Sequence, residues 1–148
     1  MDKVWREWFG NGRVRAIMPP DFPKVVCLCG STRFYQQFQE ANYRETMAGN
    51  IILSVGHYPH SAGQAHGESV GCSPDQKVKL DDLHFHKIEL ADEVLVLNVG
   101  GYVGDSTRNE VKYAYRLRKP VRWLEPRNIP ADLDPGSDSD DDPDKLGY

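Results

Sequence analysis

Apolar residues in this chain gather into four short blocks separated by longer amphipathic stretches. Val25-Val26-Cys27-Leu28-Cys29 is a continuous apolar run closed by Gly30, the pattern of a strand buried on both faces. Phe34, Phe38 and Ala41 then recur at i, i+4 and i+7, which predicts a helix with one inward face and Gly49 as its stop. Ile51 to Val55 predicts a second buried strand ended by Gly56. A loop rich in His, Gly and Ser runs to about residue 74. Leu80, Leu83, Ile88 and Ala91 mark one side of a second helix, Glu93 to Val99 predicts the strongest strand, and the Gly100-Gly101 pair breaks it. A third helix is expected over about 106–118, and Lys119-Pro120 leads into a last short strand, Val121 to Leu124. Residues 1–23 read as two short strands around Gly10-Asn11-Gly12 or as irregular chain, with Pro19, Pro20 and Pro23 blocking a helix.

Strands that alternate with helices predict an open parallel sheet covered on both faces, joined by right-handed crossovers. The expected class is therefore a single α/β domain of Rossmann or flavodoxin-like type over 24–130. A length of 148 residues suits one domain and leaves no room for a second of ordinary size. Ligands of such sheets bind beyond the carboxyl ends of the strands, where strand order reverses. Residues 30–34, 56–60 and 100–110 would then surround one site.

Charge changes the picture of what that site could take. The net charge is −4, but residues 131–148 hold seven Asp and one Lys, and the rest of the chain carries +2. The acidity reads as a disordered tail, which disfavours nucleic acid as a partner and leaves a small anionic ligand open. No run reaches the about 18 apolar residues of a membrane span, and the first residues lack the apolar core of a secretory signal. A cytoplasmic protein with no membrane partner is expected. Cys27, Cys29 and Cys72 then read as reduced thiols. A CxC with one distant cysteine is a poor metal signature, so no metal or cofactor is expected.

Three motifs carry chemistry. Gly30-Ser31-Thr32-Arg33 lies where a buried strand gives way to a helix, and it combines free amides, two hydroxyls and a bidentate guanidinium suited to phosphate. The plainer alternative is that Ser31 or Thr32 caps the helix. Gly104 to Glu110 opens the third helix. Thr107 and Glu110 fit a capping box; alternatively, Glu110 in a first helical turn is held ionised by the helix dipole as a nucleophile or base. His84 shares a helical face with Ile88 and looks inward, as a hydrogen-bonded core histidine or a catalyst, whereas His86 looks outward. The two point about 200° apart on a helix, too far for a shared metal. His57, Tyr58, Pro59, His60 and His66 lie in a loop that could contact substrate.

Together, Cys29-Gly30-Ser31-Thr32-Arg33, the Ile88-x-x-Ala91-Asp92-x-Val94-x-Val96 stretch and a glycine-containing loop reaching Glu110-Val111-Lys112-Tyr113-Ala114 resemble the nucleoside 2-deoxyribosyltransferase-like family. That family includes the nucleoside deoxyribosyltransferases and the deoxynucleoside 5'-monophosphate N-glycosidases. The resemblance covers roughly residues 24–125. It implies that Glu110 attacks the anomeric carbon to form a glycosyl-enzyme intermediate. It also implies that Gly30, Ser31, Thr32 and Arg33, with Gly104 and Ser106, form a 5'-phosphate cradle, and that the protein is a homo-oligomer. A free-nucleoside transferase has no use for Arg33, so hydrolysis of a nucleoside monophosphate is favoured. A nucleotide-binding module without turnover and a base transferase are the alternatives. Two positions depart from the family pattern. His84 stands where an Asp is usual, with Asp81 and Asp82 nearby, so His84 or Asp81 is the expected proton donor or sugar contact. Cys27 stands where a Tyr orients the nucleophile, and Tyr102 is the expected replacement.

Overall fold

The structure, a computed structural model, describes residues 18–56 and 73–136. The elements in chain order are β1 (Val25–Cys29), α1 (Tyr35–Met47), β2 (Ile51–Leu53), α2 (Pro74–Leu90), β3 (Glu93–Val96), α3 (Asp105–Arg116) and β4 (Val121–Trp123). The four strands are all parallel in the order β2-β1-β3-β4. This is the expected α/β architecture. Expectations on residues 1–17, on His57, Tyr58, Pro59, His60, His66 and Cys72, and on residues 137–148 lie outside the described residues.

The pleat of β1 divides the core. Val26 and Leu28 pack with Leu95, Leu97 and, from α1, Phe38 and Ala41. Cys27 and Cys29 point the other way and pack with Val94 and Val96, with Ile88 of α2 and with Val111 and Ala114 of α3. The chain order accounts for this. The step from β1 to β2 runs one way along the sheet and the step from β2 to β3 runs back over β1, so crossovers of one hand place α1 and α2 on opposite faces. The step to β4 continues in the second direction, which puts α3 beside α2.

Local signals set the boundaries. α1 stops at Gly49, whose φ of +88° closes the helix while its N–H donates to the Thr46 carbonyl and that of Asn50 to the Glu45 carbonyl. α2 begins on a capping box: the Gln76 N–H donates to the Ser73 hydroxyl at 3.2 Å, the Ser73 N–H donates to the Gln76 side chain at 2.9 Å, and Pro74 fills the first helical turn. Gly30 ends β1 where the chain passes close to Leu97, since a Cβ there would lie 3.1 Å from the Leu97 Cβ.

Several expectations are corrected. β2 is an edge strand, and Ile51 is exposed rather than buried. Leu80 and Leu83 of α2 are also exposed, while His84 and Ile88 face the sheet. A helix of 17 residues spans about 25 Å and a strand of 5 residues about 16 Å, so the start of α2 outruns the sheet that could cover it. Val99 belongs to a 3-10 turn, Val99–Gly101, and not to β3. Within the segment expected to be an acidic tail, Ala131–Leu133 form a 3-10 turn, Leu133 is buried, and Arg108 holds Asp132 through two hydrogen bonds of 2.6 and 3.1 Å. No helix among the described residues is long and apolar enough to cross a membrane.

Candidate functional site

The face of the sheet that carries Cys27 and Cys29 holds a buried polar cluster. β1 supplies the two thiols because residues two apart in a strand share a face. α2 supplies His84 and α3 supplies Glu110, which are 4% and 8% exposed. The His84 Nε2 lies 3.4 Å from the Cys29 Sγ, 3.7 Å from the Cys27 Sγ and 3.8 Å from a Glu110 carboxylate oxygen. Four chemistry-bearing side chains from three elements therefore meet around one nitrogen.

Burial dominates the electrostatics of Glu110 and Cys29. It raises the Glu110 carboxyl to about 7, against the opposing pull of His84. Burial also pushes the Cys29 thiol well above its ordinary range. The Cys27 thiol is lowered, first by a hydrogen bond from Cys29 and then by His84. Burial pulls His84 down, but Cys27 and Glu110 outweigh it, so its pKa is raised. Cys29 lies nearer to His84, yet Cys27 is the thiol whose pKa falls, because burial prevails at Cys29 and hydrogen bonding prevails at Cys27.

α3 begins earlier than the motif suggests. Its N-cap is Gly104 with no side-chain cap, so Asp105 opens the helix and Glu110 falls in the second turn. The capping-box reading of Thr107 and Glu110 is thereby overturned, and Thr107 is buried. The expectation that the dipole holds Glu110 ionised also fails. The dipole effect fades after the first turn, whereas burial acts at full strength.

The phosphate loop departs from expectation in a similar way. Residues 31–34 form a turn, with the Phe34 N–H donating to the Ser31 carbonyl at 3.0 Å, and α1 starts only at Tyr35. Neither Ser31 nor Thr32 is its N-cap. The Ser31 hydroxyl instead accepts from the Arg33 N–H at 3.3 Å, which shapes the loop itself. Arg33 is exposed and lies over the Tyr102 ring, 4.1 Å from its centroid, and Phe34 meets the same ring edge-on. This joins the loop after β1 to the loop after β3, two of the three segments expected around one site. Tyr102 thus supports Arg33, while the neighbour placed beside the Glu110 carboxylate is the His84 Nε2 at 3.8 Å.

Asp81 and Ser106 are brought together by a residue that the motifs do not single out. The Lys77 ammonium donates to the Asp81 carboxylate at 2.6 Å and to the Ser106 hydroxyl at 2.9 Å, and so sets a positive charge at the start of α3. The signal for it was the i, i+4 Lys77–Asp81 spacing. Asn98 was also missed. Wholly buried at the end of β3, it donates to the Glu125 and Asn128 carbonyls and accepts from the Glu125 N–H, which fixes the floor of the Gly100 loop.

No protein-family model matches this chain, and no curated protein sequence matches it.

Proposed function

We propose that the protein cleaves the N-glycosidic bond of a nucleoside 5'-monophosphate, with Glu110 as nucleophile. The observation that carries this reading is a carboxyl sunk among His84, Cys27 and Cys29 on the helix whose preceding loop holds Tyr102 against Arg33. In the reaction, the Glu110 carboxylate bonds to C1' as the bond to the base nitrogen breaks, and the electron pair leaves with the base. Water then bonds to C1' as the ester bond to Glu110 breaks, which returns Glu110 as a carboxylate, and the proton that water loses ends on the released base.

His84 is a positioning residue in this scheme. The leaving base departs from the side of C1' opposite the nucleophile, whereas His84 lies 3.8 Å from the nucleophile itself. It favours the carboxylate form of Glu110 against burial and does not protonate the base. Among the described residues, the Asp81–Lys77 pair is the polar group assigned to meet the sugar or base. Arg33, Ser31, Thr32 and Ser106, with the amides after Gly30 and Gly104, form the cradle for phosphate, and Lys77 joins them through Ser106. The exposed Leu80, Leu83 and Leu90 of α2 are the surface that a homo-oligomer would cover, which sedimentation of the full chain tests.

The deciding experiment incubates the full chain with a panel of nucleoside monophosphates and measures free base, for wild type and Glu110→Gln. Release that depends on Glu110 supports the hydrolase. Binding without release, unchanged by Glu110→Gln, sinks it in favour of a binding module. Release only when a second base is added makes the protein a transferase.

A further inference from the structure

A neutral imidazole nitrogen offers either one lone pair or one hydrogen. At the His84 Nε2, two sulfurs and a carboxylate oxygen compete for it, at 3.4, 3.7 and 3.8 Å. As donor or as acceptor the nitrogen makes one such bond, and it cannot bond to all three neighbours at once at these distances. A single cation placed among the four groups can bond to all of them.

The spacing suits such a cation. In a tetrahedral site with Zn–S near 2.3 Å and Zn–N near 2.0 to 2.1 Å, sulfur and nitrogen are separated by about 3.5 to 3.6 Å. The two observed separations, 3.4 and 3.7 Å, bracket that length. The ligand atoms of Cys27, Cys29 and His84 all lie within 4.8 Å of one another. For Glu110 the same construction gives a nitrogen–oxygen edge of about 3.4 Å, against 3.8 Å here, so a small approach of its carboxylate completes the set.

We propose that Cys27, Cys29 and His84 form a site for one divalent cation of the zinc class, with Glu110 at the open fourth position. Two thiolates and an imidazole select a borderline or soft ion over magnesium or calcium, which take oxygen ligands. The backbone already holds the frame. β1 fixes both thiols on one face, and α2 is anchored at its start by its capping box and further along by Lys87, whose ammonium donates to the Ser54 carbonyl at 2.6 Å. The CxC alone gives no warning of this, because the third ligand lies 55 positions from Cys29. The site also deepens the glycosidase reading and there rests on it: a cation held by Glu110 engages the carboxylate that must attack C1', so metal uptake and base release exclude each other.

The test is a cobalt(II) titration of the full chain after chelator treatment, in a Cys72→Ser background so that Cys27 and Cys29 are the remaining thiols. The expected result is one equivalent bound, with thiolate-to-cobalt absorption in the near ultraviolet, intense visible bands of a tetrahedral ion, and displacement by one equivalent of zinc(II). Cys27→Ser and Cys29→Ser should each weaken binding by more than the about 10- to 100-fold that follows loss of an outer-shell partner. Absence of the thiolate band at stoichiometric cobalt, or a band that survives in both serine variants, overturns the site. The parent spectrum decides the matter even where a serine variant does not fold. Since the titration contains no nucleotide, its failure leaves the base-release assay untouched, and a chain that releases no base can still give the cobalt spectrum.

Discussion

The two faces of the sheet are built from the same strands and differ in what they enclose. Under α1, Val26, Leu28, Leu95 and Leu97 meet Phe38 and Ala41 without a polar atom among them. The polar groups of that side stand at its margin and are paired: Glu45 accepts from Asn50 at 2.8 Å and from Arg122 at 3.0 Å, and Arg122 also bonds to Glu93 at 2.7 Å. Under α2 and α3, the matching positions of β1 are Cys27 and Cys29, and a histidine and a glutamate are buried against them. One side places its polar groups where each finds a partner. The other buries a carboxyl at a cost that its neighbours only partly offset. Buried groups with displaced pKa values gather at functional sites, and the contrast points to the second face as the working one.

The sharpest way to break this contrast is to remove the chemistry and keep the shape. Glu110→Gln is expected to lower base release by about ten-thousandfold or more, the scale of losing a nucleophile, with an unchanged circular dichroism spectrum. A loss below tenfold would deny Glu110 its role. The apolar face should respond in the opposite manner. Phe38→Ala removes a wholly buried ring and should cost about 3 to 5 kcal/mol in denaturant unfolding, while kcat, measured cold enough to keep the variant folded, stays within twofold of wild type.

The difference between the faces was only partly legible in the sequence. The strands were plain because apolar runs closed by glycine have few other uses, and the stop of α1 at Gly49 followed from the same chemistry. The inward turn of His84 followed from its four-residue spacing to Ile88. Pairing across the fold was invisible, because Cys29 and His84 are 55 residues apart and nothing local links them. The Thr107–Glu110 spacing misled for a physical reason: a helix can start on the backbone of Gly104 alone, with no side chain to announce it. The end of α3 is equally silent, since Arg118 takes the left-handed conformation, φ +57°, that a glycine would have advertised. The capping box Ser73–Gln76 was present in the residues and marks the start of α2 better than the leucine spacing does.

The remaining tests weigh a carboxylate on each face. Glu110 has its pKa raised from 4.5 to about 7 by burial. A carboxyl with a raised folded pKa leaves stability intact below 4.5 and takes it away as pH rises through about 7. With metal chelated, Glu110→Gln should therefore unfold at the same temperature as wild type at pH 4.5 and be more stable at pH 8, on the order of 2 to 3 kcal/mol. A variant less stable than wild type at pH 8 would refute the account of burial.

Glu45 gives the mirror image on a smaller scale. Burial pushes its carboxyl up, but the bonds from Asn50 and Arg122 outweigh this and hold it below 4.5. A lowered folded pKa contributes stability above 4.5 that is lost as pH falls through the folded value. Glu45→Gln should cost about 1 kcal/mol at pH 7, read as a melting temperature lower by about 3 to 5 °C, and the gap to wild type should close between pH 5 and pH 3, a range that spans the 4.5 reference. The two glutamine variants thus move in opposite directions at neutral to alkaline pH, one gaining stability and the other losing it. If both lost stability, Glu110 would be one more well-paired structural carboxylate, and the case for a working face would fall with it.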